Sequence, residues 1–245
     1  MKTVVIIPAR YGSTRFQGKP LAQIAQKPMI AHVCERCGRA DCVSEVVVAT
    51  DDSRIFDVVT RLGFRAVMTG EQNRSGTDRV AEAADIMGLG SDDIIINVQG
   101  DQPLIDPRCL DAVAAPLLKD PGEGMSTLAF KIVNPEEITS PKDVKVVFDH
   151  RARALYFSRS PIPCARDASE IFETFKHLGV YAYTQRFLEI FKNLPEGNLE
   201  RIEKLEQLRA LEYGYAIHVV VTPYDSPEVD IPADIERIEK KLKER

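Results

Sequence analysis

Tryptophan is absent, aromatic residues make up only 7% of the chain, and cysteine occurs five times in 245 residues. No apolar run approaches the roughly 18 residues that a membrane-spanning helix needs, which excludes that class. The opening MKTVVIIPAR has an apolar stretch too short for a secretory signal, and no small-residue cleavage site follows it. A soluble, cytoplasmic protein with no membrane partner is expected. A basic excess is also missing: 32 Lys and Arg face 37 Asp and Glu, for a net charge of −5. Without a basic stripe, nucleic acid is not an expected partner. An anionic substrate would require positive charge gathered locally.

The cysteine count is odd, and without a secretion signal the thiols are expected to be free. Cys34 and Cys37 form a CxxC with His32 and Cys42 close by, which raises zinc. No second ligand pair follows at the usual spacing. The same stretch, PMIAHVCERCGRA, reads as an amphipathic helix that buries Met29, Val33, Cys34 and Cys37, and that is the preferred reading.

What is present is an alternation of apolar strands and helical patterns. VVII (4–7) reads as a buried strand stopped by Pro8, and 28–38 as a helix with Gly38 as its C-cap. A strand over 44–50, a helix over 52–62 ended by Gly63 and a short strand over 64–68 follow. SGTDRVAEAADIM (75–87) opens with Ser75 and Asp78 in a capping-box pattern, and DIIINVQ (93–99) is the next apolar run. This spacing implies parallel βαβ units. Beyond residue 125 the pattern changes. Strands at 126–133, 144–149 and 154–159 are separated by turn signals without helices, suggesting an antiparallel or mixed excursion. A strand at 176–184, a helix or helix pair over 200–214, a strand at 217–222 and a charged helix from Ile231 complete the reading. One domain over 1–245 is expected, with an insertion over roughly 126–185.

In open parallel sheets, ligands gather at the carboxyl ends of strands. Three unusual segments fall there: the loop after VVII, SGTDR, and the QGD after DIIIN. The first, PARYGSTRFQGKPL (8–21), carries glycines, hydroxyls and the cations Arg10, Arg15 and Lys19. It is no Walker A loop, because five residues separate Gly12 from Gly18 and Pro20 follows Lys19. It is no dinucleotide fingerprint either. A glycine-containing loop with an Arg fork and a Lys point charge can nevertheless cradle phosphates.

This loop is similar to the signature loop of sugar nucleotidyltransferases, and most like that of the 3-deoxy-manno-octulosonate (Kdo) cytidylyltransferases. ATDD (49–52), SGTDR (75–79), NVQGDQP (97–103), VKVV (144–147), ALYFSR (154–159), HLGVYAY (177–183), LEQLRAL (205–211) and VDIPADIERI (229–238) match in the same order. The resemblance implies an α/β, Rossmann-like nucleotidyltransferase fold. Its central sheet would be mostly parallel, with a smaller mixed or antiparallel insertion for substrate binding and dimerisation. It implies CMP transfer from CTP to Kdo with release of pyrophosphate, for lipopolysaccharide biosynthesis, in a Mg²⁺-dependent homodimer.

The roles it implies follow from phosphoryl-transfer chemistry, which rests on positioning and charge stabilisation. Arg10 and Lys19 would stabilise the phosphates, and Gly12 and Ser13 would offer loop donors. Asp101 and Asp230 would hold Mg²⁺, which takes one or two carboxylates with water and phosphate oxygens. Asp101 ends an apolar strand, a good place for a ligand in its own right. Asp230, read alone, suits entry into a Pro-started helix. Ser75, Arg79 and Gln99 would line the nucleotide site, although Ser75 also suits an N-cap, Arg79 a surface pair with Glu82, and Gly100 a close backbone approach to ligand. Gln99, Arg159, His177, Tyr181, Glu206 and Gln207 would serve the sugar, and those beyond Gln99 rest on the resemblance alone.

Three departures stand out: Gln102 where the family reads GDEP, Gln17 where the loop commonly has Pro, and Cys164 where an aromatic is common. The first removes a negative charge beside the expected metal site. The last lies in a loop expected to border the sugar. Alternatives are a cytidylyltransferase for 8-amino-Kdo or another nonulosonate such as sialic acid, a sugar-1-phosphate nucleotidyltransferase, and a non-catalytic nucleotide-binding regulator.

Overall fold

A computed structural model describes residues 1–12, 16–167 and 169–243. The expectations for Ser13 and Arg15 lie outside the described residues. The first strand, inside the sheet, is β1 (Thr3–Ala9). It pairs in parallel with β4 (Glu45–Thr50) on one side and β6 (Ile94–Asn97) on the other, and β5 (Arg65–Met68) extends the sheet beyond β4. Pro8 does not stop the strand. The ladder to β6 ends at Ile6↔Asn97, while pairing with β4 continues through Pro8↔Ala49. Past Ile6, one side of β1 therefore has no ladder in which a missing N–H would count.

Alternate residues of β1 serve two cores. Val4 and Ile6 pack with Val80, Ala83 and Ala84 of α3 (Gly76–Met87). Val5 and Ile7 pack with Ile30, Val33, Cys34 and Cys37 of α1 (Met29–Cys37), with α2 (Ser53–Arg61), and with Val113 and Leu117 of α4 (Pro107–Lys119). The period of two in the strand thus supplies both faces of a helix–sheet–helix sandwich. Each such aliphatic side chain contributes about 1.5–3 kcal/mol by burial. The cysteines of the CxxC are core residues: burial pushes both thiols upward, and His32 bonds the Ile24 carbonyl at 2.8 Å.

The second half is mixed and partly antiparallel, as expected, but most of it stays within the sheet. β7 (Met125–Lys131) and β10 (Phe175–Thr184) are central members, in the order β11-β7-β10-β6-β1-β4-β5. β10 runs antiparallel to β6 and β7, and β11 (His218–Thr222) returns parallel to β7. Only β8 (Lys145–Phe148) and β9 (Ala154–Ser158) branch away, with β8 joined to the lower end of β10. A four-residue helix, α5 (Glu136–Thr139), interrupts the stretch expected to lack helices. Two further helices were not anticipated, α4 and α6 (Gln185–Asn193). α4 carries a signal in Asp106, whose carboxylate caps it, and in Pro107 at its first turn.

A third, small core lies at the carboxyl end of the sheet. A hairpin of β2 (Gln23–Ile24) and β3 (Lys27–Pro28) turns through Ala25 and Gln26, both at positive φ. Its Ile24 packs with Met29, Leu104, Val229 and Ile238, the last from α9 (Asp234–Lys243). Glu239 fastens the hairpin by accepting the Ala25 N–H at 2.7 Å. α9 begins at Asp234, later than the sequence suggested. Pro232 sits in the turn before it, and the Asp234 carboxylate accepts the N–H groups of Asp230 and Ile231 at 2.9 and 3.1 Å.

The segment over 200–214 is a helix pair, α7 (Asn198–Glu203) and α8 (Gln207–Glu212). They are locked by Arg209, whose guanidinium meets the buried Glu200 carboxylate at 2.5 and 2.8 Å. Removing one partner strands a buried charge. Glu200→Ala is therefore expected to lower unfolding stability by about 3–5 kcal/mol. Urea unfolding at neutral pH checks this, and a loss below about 1 kcal/mol would mean that the pair is dispensable.

Candidate active site

The carboxyl ends of β1 and β6 and the elements facing them enclose a cleft of about 700 Å³. Its walls are built from four places: the start of α3 (Gly76, Thr77), Gln99 after β6, the β10 segment His177–Tyr181, and the turn between α7 and α8. Pro141, Lys142, Arg159, Glu228 and Asp230 close the remaining side.

At one end two lysine–aspartate pairs stand together. Lys19, entering a single 3₁₀ turn after Gly18, reaches Asp101 Oδ2 at 2.5 Å and the Val229 carbonyl at 3.2 Å. Lys142 reaches Asp230 Oδ2 at 2.8 Å. The Val229 N–H bonds the Asp101 carbonyl at 3.0 Å, and Val229 itself is locked in the small third core, so the two aspartates are carried on adjoining backbone. Asp101 Oδ1 is buried without a hydrogen-bond partner. Two carboxylates, one with an orphaned oxygen and both occupied by ammonium groups, form a donor set that fits a divalent cation. Sequence reasoning missed the acid beside them. Glu228 is pushed up to about 8, first by burial and then by the negative charge of Asp101 and Asp230.

Arg10 leaves the end of β1 and donates to the carbonyls of Asn73 and Ser75 at 2.6 and 2.9 Å. Both acceptors are uncharged, so these bonds aim the guanidinium without neutralising it. The 70–75 loop is held in turn by Glu82, which accepts the Gly70 N–H at 2.9 Å and the Asn73 amide at 2.5 Å. Ser75 is the N-cap of α3: its hydroxyl accepts the Asp78 N–H at 3.1 Å. Gly12 is exposed in open space.

Arg79 is elsewhere. Its side chain is wholly buried, pairs with Asp51 and donates to Thr69 Oγ1 at 2.5 Å. It is neither a cleft residue nor a surface partner of Glu82; it ties α3 to the ends of β4 and β5. Gly100 likewise approaches backbone and not the cleft, since a Cβ there would lie 3.4 Å from the Pro8 carbonyl.

The opposite wall is polar and aromatic. β10 bulges between His177 and Tyr181, and Gly179 sits there at φ +65°, a conformation that favours glycine. The bulge presents His177 and Tyr181 to the cleft. Tyr181 donates to Gln207 Oε1 at 3.0 Å, which leaves the buried Gln207 Nε2 without a partner. Glu206 accepts from Thr77 Oγ1 at 2.6 Å. His177 Nε2 shares a 2.9 Å bond with Thr127 Oγ1, and desolvation lowers its pKa to about 3, so it is neutral. Arg159 donates to three carbonyls, those of Glu203 at 2.6 Å, Pro141 at 2.9 Å and Lys204 at 3.3 Å.

Lys145 was also missed. Its ammonium is fully buried and donates to the carbonyls of Ser140, Asp143 and Arg159 at 2.8, 2.5 and 2.8 Å. Desolvation lowers its pKa. It gathers the Lys142 loop and the Arg159 strand end to one point. The only signal in the sequence was its place in VKVV, which reads as strand. Of the three departures, Gln102 is buried in the wall and donates to the Leu178 carbonyl at 2.7 Å, while Gln17 is exposed. Cys164 is exposed, its thiol facing the Ala165 carbonyl, and it does not line the cleft.

The cleft thus brings together Gln99, Arg159, His177, Tyr181, Glu206, Gln207 and Asp230. Lys19 and Asp101 adjoin it through their bonds to Val229, and Arg10 through its bond to the Ser75 carbonyl beside Gly76. The cytidylyltransferase family profile matches residues 4–221. A 3-deoxy-manno-octulosonate cytidylyltransferase of Desulfatibacillum aliphaticivorans is 64% identical over the whole of both chains. An 8-amino-3,8-dideoxy-manno-octulosonate cytidylyltransferase of Shewanella amazonensis is 54% identical over 99% of both. The solved structure of a CMP:2-keto-3-deoxy-manno-octonic acid synthetase complexed with CTP superposes with a TM-score of 0.93 at 42% identity, covering 100% of this chain and 99% of that one. The chain belongs to the cytidylyltransferase family, among the 3-deoxy-manno-octulosonate cytidylyltransferases.

Proposed function

We propose that the protein transfers CMP from CTP to 3-deoxy-manno-octulosonate, releasing pyrophosphate. The observation that carries this reading is the pair of lysine–aspartate contacts at one end of a hydroxyl-recognising cleft, Lys19–Asp101 at 2.5 Å and Lys142–Asp230 at 2.8 Å. Asp101 and Asp230 would hold Mg²⁺, which supplies charge neutralisation at the phosphates. The lysines, displaced from their aspartates, would be free to meet phosphate oxygens. Arg10, held only by carbonyls, faces the same end with its charge unspent.

The sugar's anomeric hydroxyl attacks the α-phosphorus, the bond to the pyrophosphate oxygen breaks so that pyrophosphate leaves with that electron pair, and the hydroxyl proton passes to solvent. Arg159 suits the sugar carboxylate, because its three acceptors are neutral. Gln207 Nε2, Tyr181, Glu206 and neutral His177 suit hydroxyls, and the orphaned amide gains a partner only when the sugar arrives. The product would serve lipopolysaccharide assembly in the cytoplasm. A homodimer is proposed from the outer edge of the β8–β9 branch. There β9 has β8 as its one strand partner among the described residues, its first residue Ala154 also donates to the Ile217 carbonyl at 2.9 Å, and Leu155 beyond it is 62% exposed.

Pyrophosphate release with CTP, Mg²⁺ and Kdo tests the assignment. Release is expected with Kdo and not with sialic acid or mannose-1-phosphate. CTP binding without release from any sugar would overturn it. Asp101→Asn and Asp230→Asn should keep the fold and lose turnover by about 100-fold or more, the scale of one preorganised electrostatic partner. Near-normal turnover by either folded variant would remove that carboxylate from the metal site.

The pH dependence of stability follows from His177. Its folded pKa of about 3 lies below the ordinary 6.5, so its contribution is intact above pH 6.5 and is lost as pH falls from there toward 3. Between pH 6.5 and 5 the loss is at most about 2 kcal/mol. Urea midpoints at both values, compared with His177→Gln, should show the variant's curve flatter across this window. Parallel curves would mean that the imidazole titrates alike in the native and unfolded protein.

A further inference from the structure

One carboxylate in the cleft has no task in the chemistry above. Glu228 lines the cavity beside Gln99, His177, Gly179 and Tyr181. The nearby lysines are committed elsewhere, Lys19 to Asp101 and Lys142 to Asp230. Arg237 pairs with Asp234 at 3.0 Å and meets Glu228 at its backbone carbonyl, at 2.9 Å. Among the described residues no ion pair reaches the Glu228 side chain. Its contact is the uncharged Gln102 amide, at 3.5 Å from Oε1, a long bond from a group whose better bond of 2.7 Å goes to Leu178.

Position 102 is where the related loop commonly carries an acid. Here the wall residue is a buried amide and the carboxylate stands at 228, on the cleft surface. Gly179 leaves that surface open: a Cβ placed there would lie 3.8 Å from Glu228 Oε1. A half-buried acid side chain with no ion pair and one long hydrogen bond lacks a full set of partners. A sugar hydroxyl would offer it a neutral donor. A primary ammonium would offer charge-assisted hydrogen bonds, roughly twice as strong. Mg²⁺ could answer the same deficit, but two carboxylates already meet its usual protein share.

We infer that Glu228 is an ammonium-binding subsite, which makes the enzyme favour an octulosonate carrying an amine in place of one hydroxyl. The inference rests on reading the cleft as the sugar site.

The test compares kcat/KM for 8-amino-3,8-dideoxy-manno-octulosonate and for Kdo, with CTP and Mg²⁺, in the wild type and in Glu228→Gln. The wild type should favour the amino sugar by about tenfold or more, the worth of a charge-assisted over a neutral contact. Whatever Glu228→Gln does to turnover overall, that ratio should fall to near one. An unchanged ratio, or an equal loss with both sugars accompanied by a higher Mg²⁺ requirement, would overturn the inference and place Glu228 with the metal. If the wild type binds CTP but turns over neither sugar, the proposed reaction fails instead. Calorimetric binding of the two sugars to both proteins then reads the same ratio, an amine preference lost in Glu228→Gln supporting the subsite and equal binding overturning it.

Discussion

Parallel pairing on both sides of β1 is the constraint from which the site follows. Because β1, β4 and β6 run the same way, their carboxyl ends fall on one edge. The ladders end at Ile6↔Asn97 and Ala9↔Thr50, so Arg10, Asp51 and Gln99 leave the sheet within a strand spacing or two of one another. Had β6 run antiparallel to β1, the cations of the first loop and Asp101 would have emerged at opposite ends. The antiparallel β10, inserted next to β6, then brings a second wall to the same edge.

Two kinds of cation occupy that edge, and they differ in what holds them. Lys19 and Lys142 are neutralised by aspartates. Arg10 and Arg159 are held by main-chain carbonyls, which orient a donor without cancelling its charge. The second arrangement keeps positive potential available for anions while fixing geometry, and the first keeps a ligand-free acidic site from repelling itself. Arg79 marks the contrast. Paired with Asp51 and wholly buried, its charge is spent inside the protein and it acts only as a strut.

The parallel half was legible because each strand is a compact apolar run bounded by turn residues, and each helix ends on Gly or begins on Ser or Asp. Lys19, Asp101 and Gln99 were legible for the same reason, since strand ends are readable. α4 was passed over despite its Asp-Pro start, and α6 because QRFLEIFKN is short and follows a strand without punctuation. Pro8 misled because its effect depends on whether a neighbour's ladder continues past it. Arg79 misled because burial depends on what packs over α3. Lys142, Lys145 and Glu228 carry no local signature. Their roles arise only when β8, the 140–143 loop and the segment before α9 are brought together, which is tertiary information.

The small core of Ile24, Met29, Leu104, Val229 and Ile238 has a consequence for how the cleft can loosen. Asp101 follows a strand locked into the main sheet, whereas Asp230 is held in place by Val229 and by the helix carrying Ile238. This core is separate from the two large ones, so it can open locally while the sheet stays paired. Such an opening would part the two aspartates before any strand is lost.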